Sequence, residues 1–70
     1  MKIPTIEVEV ELDLSDGTSQ TGVVFILANQ RVLDLLNDPR AFFPFRRRDG
    51  QVIMLNKRQV AAARPLDQRG

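Results

Sequence analysis

Seventy residues, no cysteine, no histidine and a formal net charge of +1 confine the chain to one small domain, residues 1–70, held by neither a disulfide framework nor a common zinc site. Without Cys or His there is no ready nucleophile, metal ligand or neutral-pH base, so the chain reads as non-enzymatic, with no catalytic residue, metal or cofactor. A domain of this size buries only about 60% of its unfolded surface, which makes self-association a natural source of added stability.

"IEVEVELDL" (residues 6–14) alternates apolar and acidic positions without a break. Such a period of two defines a half-buried strand. Asp16-Gly17 follows and reads as a two-residue hairpin turn. That turn pairs Leu12 with Thr21, Val10 with Val23, Val8 with Phe25 and Ile6 with Leu27. The second strand, "GVVFILA", is apolar on both faces, which calls for cover on both. In "NQRVLDLLNDP" the period changes: Asn29 is an N-cap, Val32, Leu33, Leu35 and Leu36 form a helical stripe, and Pro39 ends a helix of about two turns.

"FFPFRRRDG" (residues 42–50) reads as a third strand running into a second Asp-Gly turn. A two-residue loop at Asp49-Gly50 sets Arg46 against Ile53 and Phe45 against Met54. Phe25, Phe43 and Phe45 then share a core with Val8, Val10 and Met54. Arg46, Arg47 and Arg48 form an exposed cluster at the hairpin tip, suited to binding and to discouraging stray edge pairing. "VIML", a corner at Asn56, Lys57 and Arg58, and "VAAARP" complete five strands. Val24, Ile26, Ile53 and Leu55 fall on the face opposite the core in this register. With Ala61 and Ala63 they form the expected oligomer interface.

Charge divides along the chain. Residues 1–38 hold Lys2 and Arg31 against Glu7, Glu9, Glu11, Asp13, Asp16, Asp34 and Asp38. Residues 39–70 hold Arg40, Arg46, Arg47, Arg48, Lys57, Arg58, Arg64 and Arg69 against Asp49 and Asp67. The asymmetry fits a basic binding face or a pairing of one half with the other. The first has specific candidates in Arg46, Arg47, Arg48, Lys57 and Arg58, the only concentrated positive charge. The row Glu7, Glu9, Glu11, Asp13 is a solvated face, since alternate strand positions lie roughly 6–7 Å apart, too far to converge on one ion. No apolar run reaches membrane-spanning length and residues 1–5 are no signal peptide, so the chain reads as cytoplasmic, with no membrane partner.

Gly17, four residues, Gly22 and then "VVFIL", together with "VIML", Lys57-Arg58, "QVAAAR" and Pro65, resemble the order of motifs in Sm-like proteins, including the bacterial host-factor type. The resemblance covers the two ends of the chain. Residues 28–45 depart from it, with a helix where the family has strand. It implies a mainly-β fold: a small five-stranded SH3-like or Sm-like barrel with one short helix between strands 2 and 3. It also implies a homo-oligomer. Two functions follow: an oligomeric assembly or protein-interaction module of Sm-like type, or an RNA-binding Sm-like ring using the basic hairpin and corner. The partners expected are a second copy of the chain, RNA or another protein.

Overall fold

The computed structural model describes residues 4–66. Five strands form one antiparallel sheet: β1 (Thr5–Leu14), β2 (Ser19–Leu27), β3 (Phe42–Arg47), β4 (Val52–Asn56) and β5 (Val60–Pro65). A single helix, α1 (Val32–Asn37), joins β2 to β3, and a 3-10 turn at Lys57–Gln59 joins β4 to β5. Strand order is β4-β3-β2-β1-β5. The strand count, the helix position and the 3-10 corner agree with expectation. The barrel does not. β4 and β5 remain two edges with no ladder between them, so the sheet stays open. Val32 and Leu35 of α1 join the same core as the strands, so a helix supplies cover that a barrel takes from its own closure. The open sheet overturns the Sm-like resemblance.

Both hairpin registers differ by one residue from the expected ones, for one shared reason. Each Asp-Gly belongs to a three-residue loop. In the first, the Leu14 N–H donates to Thr18 O at 2.8 Å, leaving Ser15, Asp16 and Gly17 outside the ladder. In the second, the Arg47 N–H donates to Gln51 O at 2.8 Å, leaving Arg48, Asp49 and Gly50. Gly17 and Gly50 both stand at φ +89°, the left-handed position such loops reserve for glycine. Each aspartate accepts a bond from the backbone two residues on, Thr18 N–H to Asp16 and Gln51 N–H to Asp49, both at 2.9 Å.

A slip of one residue moves a strand's whole side-chain set to the other face. Val10 therefore pairs with Gly22 and Val8 with Val24, while Phe45 pairs with Ile53 and Phe43 with Leu55. Val24 and Ile26 point inward and are only 1% and 4% exposed. They join Val10, Leu12, Phe43 and Phe45 in the core, with Ile53 and Leu55 packed against it. The expected interface residues Val24, Ile26, Ile53 and Leu55 are thus taken up by the chain's own interior. Phe25 and Met54, expected inside, lie on the outward face. Phe43 and Phe45 are buried as expected.

On β5 the ladder shifts between Asp13 and Leu14, leaving Ala61 as the extra, exposed residue, while Ala63 sits half-buried opposite Leu12. The helix has about the expected length but starts later. It begins at Val32 with Arg31 as its cap, whose backbone N–H donates to Asp34 Oδ2 at 2.8 Å, rather than at Asn29. It stops at Asn37 because Asp38, before Pro39, is held extended at ψ 143°.

Candidate interaction surface

The outward face of the sheet divides into a charged half and an apolar half. On β1 the carboxylates alternate outward, and arginines from β3 and β5 meet them. Arg46 grips Glu7 with two bonds, Nη2 to Oε1 at 2.6 Å and Nη1 to Oε2 at 3.2 Å. Its guanidinium also lies over the Phe25 ring, 5.6 Å from the centroid. Arg64 bridges two rungs of β1, with Nε to Glu11 at 3.0 Å and Nη2 to Asp13 at 2.6 Å. Ser19 donates to Asp13 as well, at 2.8 Å. Lys57 turns under the helix end, where its Nζ donates to the Asp38 carbonyl at 2.6 Å. Asp38 is also paired with Arg40 at 2.9 Å. Every one of these ion pairs joins the acidic first half of the sequence to the basic second half.

The pairing shifts the carboxyls. Arg46 lowers the pKa of Glu7, and Arg64 with Ser19 lowers that of Asp13. Thr18, through its hydroxyl and its backbone, lowers Asp16. Arg40, by side-chain and then backbone hydrogen bonds, lowers Asp38 to about 2. Each group holds its proton less tightly folded than unfolded, so acid favours the unfolded chain. Their contribution to stability is present above the ordinary values of 4.5 for Glu and 3.8 for Asp and is lost as the pH falls below them, for Asp38 toward about 2. With no histidine in the sequence, no side chain has an ordinary pKa between about 5 and 8. The urea midpoint is therefore expected to stay level from about pH 5 to 8 and to fall steadily below about 4.5. A midpoint that rises between pH 4 and 3 contradicts the pairing.

The five basic residues expected to act together do not form one patch. Arg46 and Lys57 are engaged as described. Arg47, Arg48 and Arg58 are exposed and make no ion pair among the described residues. Arg47 and Arg48 stand at the β3–β4 hairpin, beside an open groove between the two hairpin tips that Asp16, Thr18, Gln20 and Asp49 also line. Arg58 stands beyond the other end of β4. Among the described residues no three carboxylates gather where they could hold a metal ion, and no helix is long and apolar enough to cross a membrane.

The apolar half lies across β3 and β4. Phe42, Val52 and Met54 are 52%, 53% and 60% exposed. Met54 pairs directly with Pro44. Behind them the β2–β3 ladder runs only from Gly22↔Arg47 to Val24↔Phe45. The next rung would oppose Phe25 and Pro44, and Pro44 has no N–H to give.

β4 is also an edge, and its backbone is available. The bonds Arg47 N–H to Gln51 O and Lys57 N–H to Ala41 O fix the phase of the β3–β4 ladder. By antiparallel alternation, Ile53 and Leu55 turn their amides toward β3, and Val52 and Met54 turn theirs away from the sheet. The other edge is blunted. Leu66 N–H donates to Glu9 O at 2.9 Å, so on β5 the backbone of Ala63 and Pro65 turns away from β1, and Pro65 has no N–H to offer.

Sequence reasoning missed Val52, Met54, Phe42 and Pro44 as surface. The exposure of Val52 and Met54 follows from the three-residue loop at Arg48, whose signal is only the residue preceding Asp-Gly. The Sm-like functions expected from sequence, an assembling barrel or an RNA-binding ring, lack the closed barrel they require. Comparison with protein-family models, curated proteins and solved structures finds no match to this chain.

Proposed function

We propose that the domain is a protein-binding module that takes up an extended segment of a partner along β4. The observation that carries this reading is an edge strand with outward-turned amides at Val52 and Met54, bordered by exposed apolar side chains. Strand addition at such an edge takes its affinity from main-chain hydrogen bonds and its selectivity from alternate side chains. An added strand would place one set of side chains beside Val52 and Met54 and the other beside Ile53 and Leu55, all apolar. Unprotected apolar edges are a hazard that proteins ordinarily blunt, and β5, with Pro65, is blunted where β4 is not. The absence of Cys and His from the sequence supports binding over catalysis.

The test removes one edge donor. Met54→Pro deletes an N–H the fold does not use, at an edge position where proline is tolerated. Selection from a displayed library of random peptides is expected to yield segments with apolar, β-forming centres that bind the unaltered protein and lose at least tenfold in affinity for the proline variant. Failure to enrich any peptide, or peptides indifferent to Met54→Pro in a variant shown to be folded, overturns the reading.

A further inference from the structure

Resting on that reading, we infer that the segment β4 accepts is acidic at its ends: an extended peptide with an apolar centre flanked by carboxylates. β4 has five residues, a span of roughly 17 Å. At one end stand Arg47 and Arg48, and at the other Arg58, none of them in an ion pair among the described residues. Asp49 at the same tip and Asp16 across the groove balance Arg47 and Arg48 in formal charge, but neither forms an ion pair with them among the described residues, so both guanidinium groups can still meet a partner's carboxylates. The remaining cations nearby are spent, Lys57 and Arg40 on Asp38 and Arg46 on Glu7. The strand thus offers an apolar middle with guanidinium groups at both limits that stand outside any ion pair among the described residues. Charges so arranged select partners and fix register more than they add raw affinity.

The same layout disfavours a second copy of this chain as the occupant. Antiparallel pairing of two β4 strands sets the Arg47 and Arg48 tip of each copy against the Arg58 corner of the other. Parallel pairing sets tip against tip and corner against corner. Both bring like charges together. Pairing β4 with the β5 edge of a neighbour meets Pro65, which gives no hydrogen bond.

The probes are fluorescein-labelled nine-residue peptides sharing a centre of five alternating valines and threonines, flanked on both sides by two glutamates, two serines or two lysines. A ten-nucleotide single-stranded RNA is titrated in parallel. Exposed ion pairs contribute about 0.2–1 kcal/mol each. Three cations therefore predict binding of the glutamate peptide about tenfold tighter than the serine peptide and weaker binding still for the lysine peptide. The gap should close toward 1 M salt, where screening acts over about 3 Å. The double variant Arg48→Glu and Arg58→Glu should reverse the order of the glutamate and lysine peptides while leaving the serine peptide unchanged.

Equal binding of the three peptides, all lost in Met54→Pro, overturns the acidic preference and leaves the docking edge standing. Retention of the RNA with no peptide bound overturns both. So does a concentration-dependent dimer, seen by light scattering, that excludes every peptide. No binding by any probe removes the docking edge itself.

Discussion

Val24→Asp is expected to abolish folding, while Met54→Asp is expected to leave the fold intact. Val24 is 1% exposed, inside the cluster of Val10, Leu12, Ile26, Phe43 and Phe45. No buried polar or charged residue exists among the described ones to receive a carboxylate there. An unpaired ion in such a place costs several kcal/mol even after relaxation. A domain of this length has only roughly 4–10 kcal/mol in all. Met54 is 60% exposed on the outward face of an edge strand, where substitutions typically change stability by no more than about 0.5 kcal/mol. Circular dichroism and urea titration decide it. The opposite pattern, a folded Val24→Asp and an unfolded Met54→Asp, would restore the register in which Asp-Gly forms two-residue turns.

Phe45→Ala should come next in severity. The ring is fully buried, and it lies over Gly22, where an added methyl group would overlap both the ring and the Arg46 carbonyl. The glycine and the phenylalanine are therefore complementary halves of one close contact between β2 and β3. Truncating a buried phenylalanine costs about 3–5 kcal/mol, comparable to the total stability of a small domain. The variant should be largely unfolded at 25 °C, or fold only with a greatly lowered urea midpoint. A loss within about 0.5 kcal/mol would mean the ring is exposed.

Legibility in the sequence followed chemical contrast along each strand. β1 carries carboxylates on alternate positions from Glu7 to Asp13, so its faces could be assigned from residues alone, and Val10 and Leu12 are buried as that pattern requires. β2 and β4 carry apolar residues on both faces, so period-two reasoning could locate the strands but not choose their inward sides. The choice fell to loop length. Asp-Gly favours a two-residue turn in short hairpins, yet Ser15 and Arg48 extend both loops to three. That one-residue difference moved Val24, Ile26, Ile53 and Leu55 inside and put Met54 and Phe25 outside. The binding surface was hidden for the same reason, since it consists largely of side chains the slip exposes. Arg46 illustrates a different limit. A basic residue in a run of three looks available until Glu7, 39 positions away, is seen to hold it.

Barrel closure was beyond the sequence pattern as well. Five strands in this order fit either a closed barrel or an open sheet, and the difference lies in whether the last two edges meet in a ladder. Here α1 covers the core with Val32 and Leu35, and β4 keeps its outward amides.

Residue-resolved amide exchange on dilute protein tests the central claim most directly, because β4 contains both kinds of amide in alternation. Ile53 and Leu55, bonded to β3, are expected to be protected, while Val52 and Met54 exchange near open-chain rates and become protected when the glutamate-flanked peptide is added. Protection of Val52 and Met54 in the unliganded monomer, with Ile53 and Leu55 exchanging freely, would contradict the register, the open edge and the docking site together.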